Sequence, residues 1–260
     1  MLSVYIGDIH GTYFEHYRSR DAFIWKDSGF GKATLMYAAT KKSLIDQTLT
    51  RPVIKDFFMK YSNQNSNGDA EYGPNIGPSL LRYFTDYEKT VDSTDTNAYF
   101  PISLAVGELL KGDVIAAEEK TLDILTELSG NEEVANQTMV LSGVFALFLS
   151  GHGVSHVEAY LEKRDSYINL NSNLYRRELD GVYDSNHGVS ESLSIGVRAK
   201  SLNEVIHKIS RLSGDIATNM LIAIVAYDAV RGLSMWTKIR AWSHLEKVSP
   251  EINKILRRNV

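Results

Sequence analysis

The chain has 260 residues, 43% of them hydrophobic, and its 28 Lys and Arg against 32 Asp and Glu give a formal net charge of −4. This balance argues against a nonspecific nucleic-acid binder, which needs a basic surface, and the lack of cysteine excludes disulfides and thiolate metal sites. No stretch has the pattern of a signal peptide or of a transmembrane helix. We therefore expect a soluble, cytoplasmic protein with no nucleic-acid or membrane partner.

The N-terminal segment MLSVYIGDIHGTYFEH has two interpretations. Its Gly-Asp-Ile-His-Gly run matches the first motif of metallophosphatases, in which Asp and His bind a metal at the end of a strand. The further metal-ligand motifs of that chemistry are missing from the chain, so His10 is expected to be a packed or surface histidine and not a base. The second interpretation places Gly7, Asp8, Gly11 and Glu15 on a helix that needs close packing and ends in a carboxylate.

Apolar residues at three- and four-residue spacing predict helices through most of the remaining chain. The segments concerned are 32–49, 53–61, 102–111, 113–128, 132–150, 155–164, 190–199, 202–212, 233–246 and 250–258, with a further helix starting at Ser79. Ser155 with Glu158, and Ser201 with Glu204, have the spacing of helix N-terminal caps. Polar residues predict loops over 62–78, 86–99 and 165–189.

The stretch SGDIATNMLIAIVAYDAVRG, from Ser213 to Gly232, is apolar on nearly all faces of a helix of about five turns. This pattern is typical of a helix buried at the centre of a bundle, whereas Asn219 and Asp228 argue against a membrane span. No convincing strand, repeat or break in composition is present. The sequence therefore predicts one all-α domain over 1–260, a compact bundle of about ten helices.

The order of these helices, together with the residues at their boundaries, resembles the ADP-ribosylglycohydrolase family, whose members are all-helical enzymes with a binuclear Mg²⁺ or Mn²⁺ site. The resemblance runs from Gly7 to about Gly232 and is carried by several short motifs. Its parts are Gly7, Asp8, Gly11 and Glu15; Gly31-Lys32-Ala33-Thr34; Tyr72-Gly73; Pro101; 129–132; Glu191-Ser192-Leu193 with 201–212; and Ser213-Gly214-Asp215-Ile216-Ala217-Thr218.

The resemblance implies that the family draws its metal ligands from positions that this chain keeps only in part. Counterparts of ligands are Glu15, Thr34, Asp215 and Thr218, whereas Lys32, Ala33 and Ala217 replace three carboxylates. Two adjacent Mg²⁺ ions need several carboxylate oxygens, so we expect no metal or only weakly bound Mg²⁺. The same resemblance makes Glu15 and Asp215 degenerate remnants of the catalytic centre. It places Asp8, Tyr72, Gly73, Lys32 and Tyr99 in a ligand-binding cleft.

Simpler structural roles are open for each of these residues. Asp215 has the position of a helix N-cap, Glu15 has the charge to neutralise Lys32, and aromatic residues such as Tyr99 often belong to a core.

Three functional hypotheses follow. The first is a metal-deficient pseudohydrolase that binds ADP-ribose, an ADP-ribosylated protein or an ADP-ribosyltransferase, with an immunity-type role against an ADP-ribosylating toxin as an extension by analogy. The second is an active Mg²⁺-dependent ADP-ribosyl hydrolase with a reduced metal site, formed by Glu15, Asp215 and either Asp8 or Asp27. The third is a structural or interaction protein without a ligand.

Overall fold

The computed structural model describes residues 1–17, 30–64, 99–128, 132–164, 168–171, 185–212 and 216–258, which form twelve α-helices and no β-strand. The all-α prediction is confirmed for these residues, with slightly more helices than expected. The first six helices are α1 (Leu2–Tyr17), α2 (Lys32–Ile45), α3 (Thr50–Gln64), α4 (Phe100–Leu109), α5 (Val114–Leu128) and α6 (Glu132–Leu149). The other six are α7 (Val154–Lys163), α8 (Ser185–Arg198), α9 (Leu202–Ile209), α10 (Ile216–Arg231), α11 (Met235–Val248) and α12 (Pro250–Arg257).

Helix α10 is the central helix of the bundle, as its sequence predicts. Every residue from Ile216 to Tyr227 is buried, because α1, α8 and α9 pack directly against this helix and α6 reaches it as well. The helix ends at Arg231, where Gly232 adopts a φ of 78° that other residues rarely take. A helix that is apolar on nearly all faces is thus packed by neighbours on several sides, as its composition predicts.

Glycines bring α1 unusually close to α10. A Cβ atom on Gly7 would lie 2.5 Å from the Cα atom of Leu221, and one on Gly11 would lie 2.4 Å from the Cα atom of Ala217. No side chain fits at either position, so both residues have to be glycine for the two helices to touch. The helical interpretation of the N-terminal segment is thus confirmed. The metallophosphatase interpretation is wrong, because Gly-Asp-Ile-His-Gly lies inside a helix and not at the end of a strand.

A third glycine brings α8 close to α10 as well. A Cβ atom on Gly196 would lie 2.4 Å from the carbonyl oxygen of Ala223 and 2.8 Å from the Cβ atom of Ala226. Glycines on α1 and on α8 thus let two different helices approach α10 backbone to backbone.

The remaining helices extend the same core outward. Helix α6 packs against α4 and α5, α2 packs against α3 and α4, and α12 packs against both α2 and α11. The buried apolar side chains form one continuous cluster that runs from α1 to α12. Within the described ranges, no helix has the length and apolar character needed to cross a membrane. The single-domain prediction also covers residues beyond these ranges and stays a prediction.

Several predicted helix starts differ from the structure, by one to five residues. Helix α7 begins at Val154 after Gly153, and no side chain caps it, so the predicted Ser155 cap is wrong. Helix α8 begins at Ser185, five residues before the predicted start, within a segment predicted to be irregular. The Ser201 cap of α9 is confirmed, since its side chain accepts a hydrogen bond from the Glu204 amide.

Candidate functional site

One turn of α1 joins the N-terminal ends of two other helices. Asp8, at the start of this turn, accepts hydrogen bonds from the beginning of α2, and Gly11, at its end, packs on the first residues of α10. Segments near residues 8, 31 and 217 of the sequence therefore meet in space. These are three of the segments that carry the family resemblance.

The Asp8 carboxylate acts as a cap for α2. Its Oδ2 atom accepts hydrogen bonds from the backbone amides of Gly31 at 2.6 Å and Thr34 at 3.0 Å, although it lies more than twenty residues away in sequence. The Thr12 hydroxyl donates a longer bond of 3.4 Å to Oδ1. Amides at the start of a helix have no partner within that helix, so Asp8 supplies what a local N-cap residue usually provides.

Burial governs the protonation of Asp8. The side chain is buried, and removal from water raises its pKa above the ordinary range of an aspartate. The hydrogen bonds from Thr34, Gly31 and Thr12 oppose this shift without cancelling it. The carboxyl group is therefore held in place by uncharged donors in a site that disfavours its charge.

Gly31 is required by this arrangement. A Cβ atom on Gly31 would lie 2.6 Å from Oδ1 of Asp8 and 2.7 Å from Oγ1 of Thr12. Any side chain there would push the carboxylate away from the amides that it caps. The sequence motif pointed to Gly31 only as the residue before Lys32, whereas the structure gives it a steric role.

The start of α10 is buried and polar. Thr218 and Asn219 are both buried in the first turn of this helix, and a Cβ atom on Gly188 of α8 would lie 2.7 Å from Oδ1 of Asn219. Helix α8 therefore touches the same end of α10 that α1 reaches through Gly11. Neither Asn219 nor Gly188 was among the predicted site residues. The only sequence signal was a polar amide at the start of an otherwise apolar helix.

The other predicted residues fall into two groups. Lys32 is half-buried at the first position of α2, Thr34 is buried beside Asp8, and Tyr99 is buried in the core, where its hydroxyl donates to the Leu128 carbonyl oxygen at 3.3 Å. Asp215, Tyr72 and Gly73 lie outside the described residues, as does the side chain of Glu15, whose backbone belongs to α1.

His10 is packed inside the helical bundle and holds a proton only weakly. It is buried on α1, and burial lowers its pKa to about 4, so the imidazole is neutral there. The sequence left a packed or a surface histidine open, and the structure shows a packed one.

The described residues do not fit a two-metal centre. At the starts of α2 and α10, the segments 30–34 and 216–219 contribute Lys32, Thr34, Thr218 and Asn219, but no carboxylate. Asp8 already accepts two backbone amides, and no group of three or more His, Asp or Glu side chains in the described ranges is arranged to hold a metal ion. A pair of Mg²⁺ ions needs several oxygen ligands.

A second polar cluster lies further along α2 and was not predicted. Lys41 is buried, and its Nζ atom lies 3.0 Å from Oε2 of Glu108 and 3.2 Å from the Leu256 carbonyl oxygen. Tyr37 donates to the same carboxylate, and the Met1 amino group lies 2.9 Å from its other oxygen. Burial alone would raise the pKa of Glu108, but the Met1 and Lys41 cations outweigh it and hold that pKa below its usual range. These contacts connect residues far apart in sequence, which no local pattern signals.

A surface cavity of about 450 Å³ lies elsewhere, between α7 and residues 168–171. Its polar lining comes from Glu158, Glu162, Asn169 and Asn171, and none of the predicted site residues lines it. The cavity is therefore separate from the junction of α1, α2 and α10.

No protein-family model matches the chain, and no curated protein matches it.

Proposed function

We propose that this chain is a metal-poor relative of the ADP-ribosylglycohydrolases, which binds ADP-ribose, an ADP-ribosylated protein or an ADP-ribosyltransferase and does not hydrolyse it. The observation that carries the proposal is the junction of α1, α2 and α10. One turn of α1 brings together, through Asp8 and Gly11, three segments that the resemblance assigns to one cleft. Nothing in their spacing along the sequence requires that they meet.

Compared with the carboxylates that the resemblance expects, Lys32, Ala33 and Ala217 make this junction less suited to a pair of metal ions. Lys32 opens α2, and Ala33 and Ala217 stand where the resemblance expects carboxylates. The N-terminal end of α10 adds the partial positive charge of a helix start. A lysine next to a helix start suits the diphosphate of ADP-ribose. Glu15, Thr34, Asp215 and Thr218 are the ligands of any Mg²⁺ that binds weakly.

The proposal extends to partner and location. A cleft that recognises ADP-ribose without hydrolysis suits a protein that sequesters a modified target or blocks a transferase, and an immunity-type role in the cytoplasm is one form of this. The proposed function involves neither nucleic acid nor a segment that spans a membrane.

Calorimetric titration of the full chain with ADP-ribose, in EDTA and in Mg²⁺, tests this proposal. We expect binding in EDTA that Mg²⁺ does not strengthen, and no release of ADP-ribose from ADP-ribosyl-arginine in either buffer. The change Lys32→Glu is expected to weaken binding at least tenfold because it places a negative charge where we expect the diphosphate. Lys42→Glu is the matched control, since Lys42 lies near the other end of α2 and pairs with Asp46.

The other hypotheses predict different results. Binding that requires Mg²⁺, or measurable hydrolysis, would establish a reduced-metal hydrolase, and no binding in either buffer would leave an interaction protein without this ligand. Restoring the three carboxylates with Lys32→Asp, Ala33→Asp and Ala217→Asp adds a second test. Ala33 and Ala217 are buried, so the variant should be destabilised in EDTA and regain thermal stability with Mg²⁺, whereas the parent chain should not respond.

A further inference from the structure

The first half of α11 exposes three large apolar side chains on neighbouring turns. Met235 is 71% exposed, Trp236 is 75% exposed and Ile239 is 51% exposed. Residues three and four positions apart on a helix are close neighbours, so Ile239 lies beside both Met235 and Trp236 and the three side chains form one patch. Isolated exposed apolar residues are normal, but a contiguous group that includes an exposed tryptophan indicates an interaction surface.

The backbone beneath this patch is held by hydrogen bonds. The Asp228 carboxylate accepts from the Leu233 amide at 2.9 Å, and the Ser234 side chain caps α11 by accepting from the Thr237 amide at 3.1 Å. No residue from 234 to 240 is buried, whereas Ala241 and Leu245 further along are fully buried. The helix is thus anchored by its second half, and its first half projects with Met235, Trp236 and Ile239 on it.

The charge around the patch is opposite to that of the whole chain. From Asp228 to Lys247 the sequence contains four cations, Arg231, Lys238, Arg240 and Lys247, against the two carboxylates Asp228 and Glu246, although the net charge of the chain is −4. Arg231 and Arg240 are exposed and Lys238 is half-buried. Exposed apolar side chains flanked by cations are complementary to a surface with an anionic outer layer and an apolar layer beneath it.

Two features argue against a second copy of the chain as the occupant. A symmetric contact would bring two sets of these cations together. A stable protein interface also uses roughly 20 to 30 residues on each side, whereas this patch has three apolar side chains. A bilayer interface needs neither a large area nor a matching pocket, because each side chain that enters it contributes separately.

We propose that the first half of α11 binds peripherally to a bilayer with anionic headgroups. Trp236, Met235 and Ile239 enter the boundary between headgroups and acyl chains, and Arg231, Lys238 and Arg240 contact lipid phosphates and carboxylates. The expectation of no membrane partner rested on the absence of a spanning segment, and a surface contact needs none. This proposal is independent of the function proposed for the α1, α2 and α10 junction.

Co-sedimentation of the full chain with extruded vesicles tests the proposal, with phosphatidylcholine alone and with phosphatidylcholine and phosphatidylserine at 7:3 as the two probes. We expect binding to the anionic vesicles that falls steeply with added salt, and little binding to the neutral ones. The double change Lys238→Glu and Arg240→Glu should weaken binding at least about 25-fold, since each cation near such a surface contributes about fivefold. The triple change of Met235, Trp236 and Ile239 to serine should weaken it at least tenfold.

Matched controls lie on and just before α5. Ile115 on this helix is 66% exposed, and Ile115→Ser removes an isoleucine that is more exposed than Ile239. Lys111 precedes the helix and Lys120 lies on it, and the pair Lys111→Glu and Lys120→Glu makes the same change in net charge. Both controls should bind anionic vesicles like the parent chain. The proposal is overturned if the chain does not bind anionic vesicles at low salt or if it binds neutral vesicles equally well. It is also overturned if the control variants lose as much vesicle binding as the α11 variants. A dimer in sedimentation velocity that the serine variant abolishes would instead assign the patch to a second copy.

Discussion

Two carboxylates lie against α2, and the protein accommodates them in opposite ways. Asp8, at the helix start, is buried among peptide and hydroxyl donors that carry no net charge, and burial raises its pKa. Glu108, half-buried beside the middle of the helix, contacts the Lys41 ammonium, the Met1 amino group and the Tyr37 hydroxyl, and these neighbours hold its pKa low. Hydrogen bonds fix one end of the helix, and charge fixes its middle.

The difference shows what each carboxylate is suited to do. A carboxylate surrounded by cations is already neutralised and contributes to stability as an ion pair. One surrounded by amides in a buried site keeps its tendency to take up a proton. The protonation state of Asp8 is therefore the more easily changed of the two, and Asp8 lies at the candidate site. Glu108 contributes to the stability of the fold. Substitutions and pH should separate the two.

The largest effect is expected at Lys41. Lys41→Met removes a buried cation and leaves the Glu108 carboxylate and the Leu256 carbonyl oxygen with fewer partners, so the free energy of unfolding should fall by about 3 kcal/mol. Urea unfolding measures this. Lys42→Met is the control, because Lys42 is more exposed and pairs with Asp46 at the surface, and it should unfold at nearly the same urea concentration as the parent. Equal losses in both variants would mean that the Lys41 pair is not a structural unit.

A smaller effect is expected at Asp8. Asp8→Ala leaves the amides of Gly31 and Thr34 without their acceptor and should cost about 2 kcal/mol, whereas Asp8→Asn keeps one acceptor oxygen and should cost about 1 kcal/mol. The ratio of the two losses, from the same urea experiment, is the informative quantity. An Asn variant that loses more than the Ala variant would contradict the role of Asp8 as a hydrogen-bond acceptor.

The smallest effect, and the sharpest distinction, is expected in the dependence on pH. A raised pKa means that the folded chain holds the Asp8 proton more tightly, so the Asp8 contribution to stability falls as pH rises from the ordinary aspartate pKa to the raised one. A lowered pKa has the opposite sign, so the Glu108 contribution is present above the ordinary glutamate pKa and is lost as pH falls through the lowered one.

Unfolding curves of the parent, Asp8→Asn and Glu108→Gln between pH 3 and 7 test these signs. Each unit of pKa shift corresponds to about 1.4 kcal/mol. The stability difference between the parent and Asp8→Asn should shrink with rising pH, and that between the parent and Glu108→Gln should grow. If the stability differences of both variants from the parent changed in the same direction with pH, the two carboxylates would not be held in different ways.

Sequence alone predicted the parts of this fold that depend on local pattern. The apolar run in α10 required a buried helix, Gly232 marked its end, and the spacing of Gly7 and Gly11 indicated close helix packing. The Ser155 cap failed because a serine with a glutamate three residues later is common, and here the chain begins the helix at Val154 after Gly153.

What sequence could not predict depends on distant residues. Asp8 is more than twenty residues away in sequence from the amides that it caps, and Lys41 is 67 residues away from Glu108. The periodic patterns that indicate helices and strands relate only nearby residues, so they predict neither contact. The candidate site was approached only through a family resemblance that supplied the pairing of segments. Of its predicted members, Asp8 and Thr34 lie together and Tyr99 lies in the core, while Asp215, Tyr72 and Gly73 fall outside the described residues.

The glycine contacts of α10 have a consequence for tracing the ancestry of this chain. At Gly7, Gly11 and Gly196, a single added carbon would collide with the backbone of α10. Surface residues, and even residues of the candidate site, can be substituted without unfolding such a protein, but a side chain at any of these three positions requires two helices to move apart. We therefore expect these three glycines to change more slowly than the rest of the sequence as related chains diverge. A search for distant relatives should give more weight to this spacing of small residues around an apolar helix than to overall identity.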